Sequence, residues 1–195
     1  MADIQQQQSG SLSQTGTSQQ QQSKQQNRPP STELGKEHEL LRKTCGKFKA
    51  ECTFKYEDGK ESVYEGEAYR DMILGGRFLH EKFLGNFGGK QFEGHMLIGC
   101  TDGEFEVTWA DTTSNQIYVS WGRFLEGSSC EFEVVSRDPF REDMTGRLKK
   151  TRQRNCVMSE NEIVFESFDQ YIDEGEKDQR TMKIVYRRMD QQPQS

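Results

Sequence analysis

The sequence contains no run of about 18 apolar residues, the length that a membrane-spanning helix needs. Its N-terminal segment has no basic stretch followed by an apolar one, which is the pattern of a secretory signal. The Ser/His/Asp order of a hydrolase, a phosphate-binding P-loop and a dinucleotide-binding glycine fingerprint are also missing. These absences predict a cytoplasmic protein with no membrane partner, and they give no support to an enzyme of these kinds.

The cysteines form no metal-binding or disulfide pattern. Their number is odd, no two are spaced as C-x-x-C, and no histidine lies at zinc-finger spacing from them. The five are Cys45, Cys52, Cys100, Cys130 and Cys156. We interpret them as reduced core thiols, and we expect no metal and no cofactor.

Aromatic residues are absent from the first 26 positions, which instead contain eleven glutamines. All 20 aromatic residues lie between Phe48 and Tyr186, so only that part of the chain can bury enough apolar surface to offset the entropy of folding. The composition therefore predicts a disordered glutamine-rich tail at residues 1–30 and a single domain at residues 31–190. Residues 191–195 are expected to be a disordered C-terminus.

The formal net charge is −6. Residues 1–31 contribute +1, from Lys24 and Arg28 against Asp3, so the remainder of the chain carries −7. Such a charge repels polyanions unless a local basic patch overrides it. The one basic stretch, at residues 147–154, would be divided between two faces by strand alternation. We expect no nucleic-acid partner.

From Phe48 onward the apolar side chains repeat every two residues, the period of a half-buried strand. Dipeptides that favour tight turns separate successive strands, and the clearest are Asp58-Gly59, Gly75-Gly76, Gly88-Gly89 and Asp102-Gly103. The pattern predicts about nine or ten antiparallel strands. Because closure removes the exposed edges of so large a sheet, we predict an all-β up-and-down barrel in preference to a sandwich.

One short helix is predicted before the first strand, over residues 31–44. A Pro-Pro pair, a Ser/Thr cap and an acidic first turn are typical of a helix start. Such a helix would plug or flank the mouth of the barrel with its apolar face. That face contains Leu34, His38, Leu41 and Cys45.

Several segments together resemble one family. They are residues 75–79, the Phe92-Glu93-Gly94 strand start, Ile98-Gly99, Trp109 with Asp111, and the closing residues 184–188. This set, within a likeness that spans residues 33–189, is similar to the family called domain of unknown function 1579. The resemblance implies a calycin-like, or lipocalin-like, barrel and no assigned activity.

His80 and His95 form the first candidate constellation. If Gly88 and Gly89 are the central residues of a two-residue turn, His80 lies opposite Leu97 and the two histidines share a face, with Cα atoms about 7–8 Å apart. Glu81 would point to the other face. A metal or haem site is one interpretation, and two surface or barrel-lining histidines are the favoured one.

Trp109, Asp111 and Arg77 supply the other candidates. Asp111 lies two residues after Trp109 on the same face, where it could act as a general acid or base, although a turn-forming role is favoured. Arg77 follows two glycines and could enter the barrel to meet an anionic head group or Asp111, although a structural ion pair is favoured.

The sequence favours a non-enzymatic barrel that binds a small hydrophobic or amphipathic ligand. The candidate ligand-binding residues are Arg77, His80, His95, Trp109, Asp111 and Trp121. One alternative is a lyase or isomerase, which requires Arg77, His80, His95 and Asp111 to converge on one cavity. Another alternative is a structural or interaction scaffold. A homo-oligomer is compatible with each of these hypotheses.

Overall fold

A computed structural model describes residues 33–56, 58–136, 141–142, 147–171, 175 and 177–189. The predicted tail at residues 1–30 and the predicted C-terminus at residues 191–195 lie outside the described residues. Among those that are described, no helix is both long and apolar enough to cross a membrane.

One helix precedes eleven strands in this part of the chain. The elements are α1 (Lys36–Lys43), β1 (Gly46–Lys55), β2 (Glu61–Ile73), β3 (Phe78–Phe87), β4 (Lys90–Thr101), β5 (Glu104–Asp111), β6 (Tyr118–Phe124), β7 (Glu131–Ser136), β8 (Arg141–Glu142), β9 (Leu148–Ser159), β10 (Glu162–Tyr171) and β11 (Asp178–Arg188).

Ten of the strands close into an antiparallel barrel. Strands β1 to β7 pair in sequence order, β7 pairs with β9, and β9 pairs with β10. Strand β11 then pairs with both β10 and β1, which closes the barrel. The two-residue β8 pairs with Leu148 and Lys149 at the start of β9. The predicted all-β up-and-down barrel of about nine or ten strands, with one short helix, is confirmed.

The turn dipeptides set the strand register. Gly88 and Gly89 have φ angles of +61° and +86°, which residues with a side chain rarely adopt and which the tight β3–β4 turn requires. Phe87 therefore pairs with Lys90, and His80 lies opposite Leu97, as the sequence predicts. Every second residue of each strand then faces the interior of the barrel.

Helix α1 begins later than predicted. Its N-terminal cap is Gly35, whose backbone N–H donates to the Nδ1 atom of His38 over 3.0 Å. The buried face carries Leu40, a residue that the predicted stripe omits, together with Glu37, His38 and Leu41. Leu34 precedes the helix and is 42% exposed, so its predicted place on the buried face is wrong.

The helix closes one end of the barrel, which we call the helix end. Leu40 and Leu41 belong to a fully packed cluster whose other buried members are Leu79, Ile98, Phe105, Val107, Phe132 and Val134. The residual void beside this cluster is about 10 Å³. One water molecule needs at least that much space, so the cavity beside this cluster has no room for a small-molecule ligand.

Leu41 is 1% exposed, so Leu41→Ala should lower the free energy of unfolding by about 2–5 kcal/mol through lost burial and the cavity left behind. Leu34→Ala, at an exposed leucine just before the helix, is the matched control and should change the free energy of unfolding by less than about 0.5 kcal/mol. Chemical denaturation of both variants measures the difference. Equal losses would mean that α1 does not plug the barrel.

Candidate functional site

The opposite end of the barrel, here called the open end, is formed by turns and loops. The β1–β2 turn, the β3–β4 turn and the segment between β5 and β6 all lie there. Among the described residues no helix covers this end. Ligands of closed barrels bind at such mouths, where the inward-facing side chains can contact them.

Five inward-facing aromatic residues form one continuous surface at the open end. Adjacent ring centroids lie 5.5 Å apart for Phe54 and Phe87, 4.8 Å for Phe87 and Phe92, and 6.3 Å for Phe92 and Trp109. Tyr64 completes the surface, with its ring 5.3 Å from that of Phe87. We call these five residues the aromatic wall. Each ring is only partly buried, whereas Phe48 and Phe105, nearer the helix end, are 0% exposed.

Polar side chains from β7, β9 and β10 line the other side of the open end. Lys149 Nζ lies 2.5 Å from Asp169 Oδ2, and Thr151 Oγ1 donates to Asp169 Oδ1 over 2.8 Å. Ser136 Oγ accepts a hydrogen bond from the Thr151 backbone over 3.3 Å. We call these four residues the polar wall. The open end therefore presents an apolar surface on one side and a hydrogen-bonding surface on the other.

A cavity of about 570 Å³ lies at the rim of the open end. It is lined by Lys55, Tyr56, Gly59, Tyr171, Asp178, Gln179, Arg180 and Thr181. None of these residues belongs to the aromatic wall or to the polar wall, so this cavity is not the space between the two walls.

Trp109 and Asp111 are joined directly, as their shared face predicts. Trp109 Nε1 donates to Asp111 Oδ2 over 2.7 Å. The other carboxylate oxygen of Asp111 accepts from the backbone N–H and the hydroxyl of Thr113, over 2.8 Å and 2.5 Å. Asp111 thus holds the turn after β5 and fixes the orientation of the Trp109 ring at the same time.

His80 and His95 lie on the outer face of the barrel. His80 Nε2 is 3.0 Å from His95 Nδ1, and His95 Nε2 is 2.9 Å from Glu93 Oε1. Lys82 also reaches Glu93, at 3.1 Å. The hydrogen bond from His95, followed by that from Lys82, lowers the pKa of Glu93. In the described part of the chain, no three His, Cys, Asp or Glu side chains are grouped as metal ligands.

Arg77 and Trp121 face away from the interior. Arg77 is exposed in the turn between β2 and β3, at the helix end, because Gly75 and Gly76 turn the chain before β3 begins. Its predicted entry into the barrel is wrong. Trp121 pairs with Glu106 and is on the opposite face from inward-facing Ser120, which is 5% exposed.

The structure therefore brings together only two pairs of the predicted site residues, Trp109 with Asp111 and His80 with His95. The first pair faces inward at the open end and the second faces outward. The convergence of Arg77, His80, His95 and Asp111 on one cavity, which the lyase or isomerase alternative requires, is not found.

The interior contains a charged cluster that was not among the predicted site residues. Arg70 Nε lies 2.5 Å from Glu81 Oε2, and the two side chains are 4% and 1% exposed. Tyr186 donates its hydroxyl to Glu81 Oε1 over 3.4 Å, and the Arg70 guanidinium lies 4.5 Å from the Tyr186 ring centroid. The signal was present, because Arg70 and Glu81 interrupt the apolar residues that face inward from β2 and β3.

Electrostatics in this cluster favour a charged guanidinium beside a neutral phenol. Burial lowers the pKa of Arg70, but Glu81 and Tyr186 outweigh it and raise the pKa above its ordinary value. Burial, reinforced by the Glu81 carboxylate, raises the pKa of Tyr186 well above its ordinary value. The three groups satisfy one another between two apolar clusters.

The cysteine environments do not favour nucleophilic chemistry. Burial raises the pKa of Cys52 to about 12 and that of Cys100 to about 11. Burial also raises the pKa of Cys156, with a further contribution from Glu131, to about 12. A thiol with so high a pKa is protonated at neutral pH and reacts slowly.

The fold and the site define a closed antiparallel β-barrel with one solid end, plugged by a helix, and one open end lined by aromatic and polar walls. The chain belongs to the family described as Protein of unknown function (DUF1579), whose sequence model matches residues 33–188. The resemblance inferred from the sequence is thereby confirmed.

One similar solved structure is the crystal structure of Rv2717c from M. tuberculosis. It has a TM-score of 0.60 and 14% sequence identity, and the match covers 81% of this chain and 100% of that chain. At this identity the likeness shows the fold alone. No curated protein matches the chain.

Glu81→Gln should lower the free energy of unfolding by about 3–5 kcal/mol, because it leaves the buried Arg70 charge without a counter-ion. The double variant Arg70→Met with Glu81→Leu removes both charges and should be more stable than Glu81→Gln. Glu104→Gln is the matched surface control, since Glu104 and Arg123 pair at 2.9 Å while 58% and 69% exposed, and should cost at most about 1 kcal/mol. Equal losses at both glutamates, measured by denaturation, would contradict the interior ion pair.

Thiol labelling of the native protein at pH 8 should show one fast site, because Cys130 is exposed while Cys52 is buried with a pKa near 12. Reaction with Ellman's reagent followed by mass spectrometry identifies the labelled residue. Cys130→Ser should remove the fast phase. Rapid labelling of Cys52 in the folded protein would show that the barrel interior is open to reagent.

Proposed function

We propose that the open end of the barrel binds a small hydrophobic or amphipathic molecule. The observation that carries this proposal is the partial exposure of the five inward-facing rings of the aromatic wall. Phe48 and Phe105, which face inward nearer the helix end, are 0% exposed, whereas each ring of the aromatic wall keeps some exposed apolar surface. Burying such surface under a ligand is favourable by about 25 cal/mol per Å² of apolar area.

The polar wall makes an amphipathic molecule the better fit. A ligand that covers the aromatic wall also comes within reach of the hydroxyls and the ammonium group across the barrel, and these groups would fix its orientation. The helix end contributes no space, since its residual void is about 10 Å³. The proposed ligand is therefore short and lies near the rim.

The test uses N-phenyl-1-naphthylamine, a neutral apolar probe, with the full-length protein. Its binding should increase its fluorescence and should shift the indole N–H resonance of Trp109, which faces the site. The indole resonance of Trp121, on the outer face, should stay in place. Trp109→Phe and Trp121→Phe each remove one resonance and so assign the two signals.

Trp121→Phe also serves as the matched variant for affinity, and it should bind the probe as the native chain does. No fluorescence change and no Trp109 shift at saturating probe would refute the proposal. A shift of Trp121 alone would place the probe on the outer surface and would refute it equally.

A further inference from the structure

We propose that the molecule held at the open end carries an acidic head group, which binds the Lys149 ammonium while its apolar part covers the aromatic wall. This inference rests on the proposed function and adds the chemical class of the ligand. Carboxylates, sulfonates and phosphates all carry the negative charge and the acceptor oxygens that an ammonium group binds. The site therefore selects an anionic head group and does not distinguish among these acids.

The relative exposure of Lys149 and Asp169 in the polar wall favours an anionic ligand. Asp169 is 6% exposed and already accepts hydrogen bonds from Lys149 and Thr151. Lys149 is 26% exposed, so a molecule entering the open end meets the ammonium before it meets the carboxylate. An ammonium has three donor hydrogens, and the contact with Asp169 requires only one of them.

A second basic residue, Arg147, lies just before β9 at this end of the barrel. Its guanidinium carbon is 3.9 Å from the centroid of the Tyr171 ring. Tyr171 pairs directly with Lys149 across the β9–β10 ladder and is 5% exposed. A second cationic group therefore lies against the strand neighbour of Lys149.

Two other carboxylates described at this end bind protein donors. Asp111 accepts from Trp109 and Thr113. Asp178 accepts from Arg152 and from Gln170 Nε2. These two acids are thus directed toward other protein groups and not toward Lys149, whose ion-pair partner is Asp169.

The experiment compares two probes that differ by one acidic group. 8-Anilino-1-naphthalenesulfonate carries a sulfonate on the ring system of N-phenyl-1-naphthylamine. The native protein should bind the sulfonate probe about tenfold more tightly or better, the size expected for hydrogen bonds to a charged partner. The Trp109 indole shift confirms for each probe that binding is at the open end.

The variants remove the Lys149 charge together with its partner, keep it, or remove a lysine from the opposite face. Lys149→Gln combined with Asp169→Asn removes both charges, so no uncompensated carboxylate repels the probe, and the two probes should then bind equally. Lys149→Arg should keep the preference. Lys150→Gln, on the opposite face of the same strand, is the matched control and should keep it as well.

Retained binding of N-phenyl-1-naphthylamine shows that each variant is folded at the open end. Equal affinity of the two probes for the native protein, or a preference that survives in the double variant, overturns the acidic head group and leaves the proposed function in place. Failure of the native protein to bind either probe at Trp109 overturns the proposed function itself.

Discussion

The pairing of β11 with β1 is the constraint on which the rest of the structure depends. It joins residues about 135 positions apart, from Phe48 opposite Arg188 to Phe54 opposite Met182. Without it the sheet would have two free edges and no interior. With it, alternate side chains of each strand point into the barrel or out to its surface. Residues from β2, β3 and β11 then meet inside as the Arg70, Glu81 and Tyr186 cluster.

Among the described residues, a helix plugs one end of the barrel and no helix covers the other. At the helix end, Leu40 and Leu41 complete a packed cluster that includes Phe105 and Phe132, which are 0% and 3% exposed. At the open end, equally large aromatic side chains have no covering element among the described residues and remain partly exposed. The difference lies in what covers each end, since the strands supply aromatic residues to both.

Local sequence patterns predicted the strands, their turns and the register of the β3–β4 hairpin. They predicted less well which polar and aromatic side chains face the interior. Paired glycines and period-two alternation were enough to place the β3–β4 turn and the His80–Leu97 register. Arg77 was given a place in the barrel from its position after two glycines, but those glycines turn the chain before β3 begins and leave Arg77 exposed. The Lys149–Asp169 and Arg70–Glu81 contacts each lie within one hairpin and span 20 and 11 residues, and they were missed because inward positions were assigned to apolar residues alone. Trp121 alternates with Ile117 and Val119, which predicts an inward face, whereas the structure turns the small Ser120 inward instead.

The chain of contacts on the outer face has a direction. His95 Nε2 must carry a proton to donate to Glu93, so in the neutral ring His95 Nδ1 can only accept. His80 Nε2 must then be the protonated nitrogen of its own ring. The tautomers of both imidazoles are therefore determined by one carboxylate.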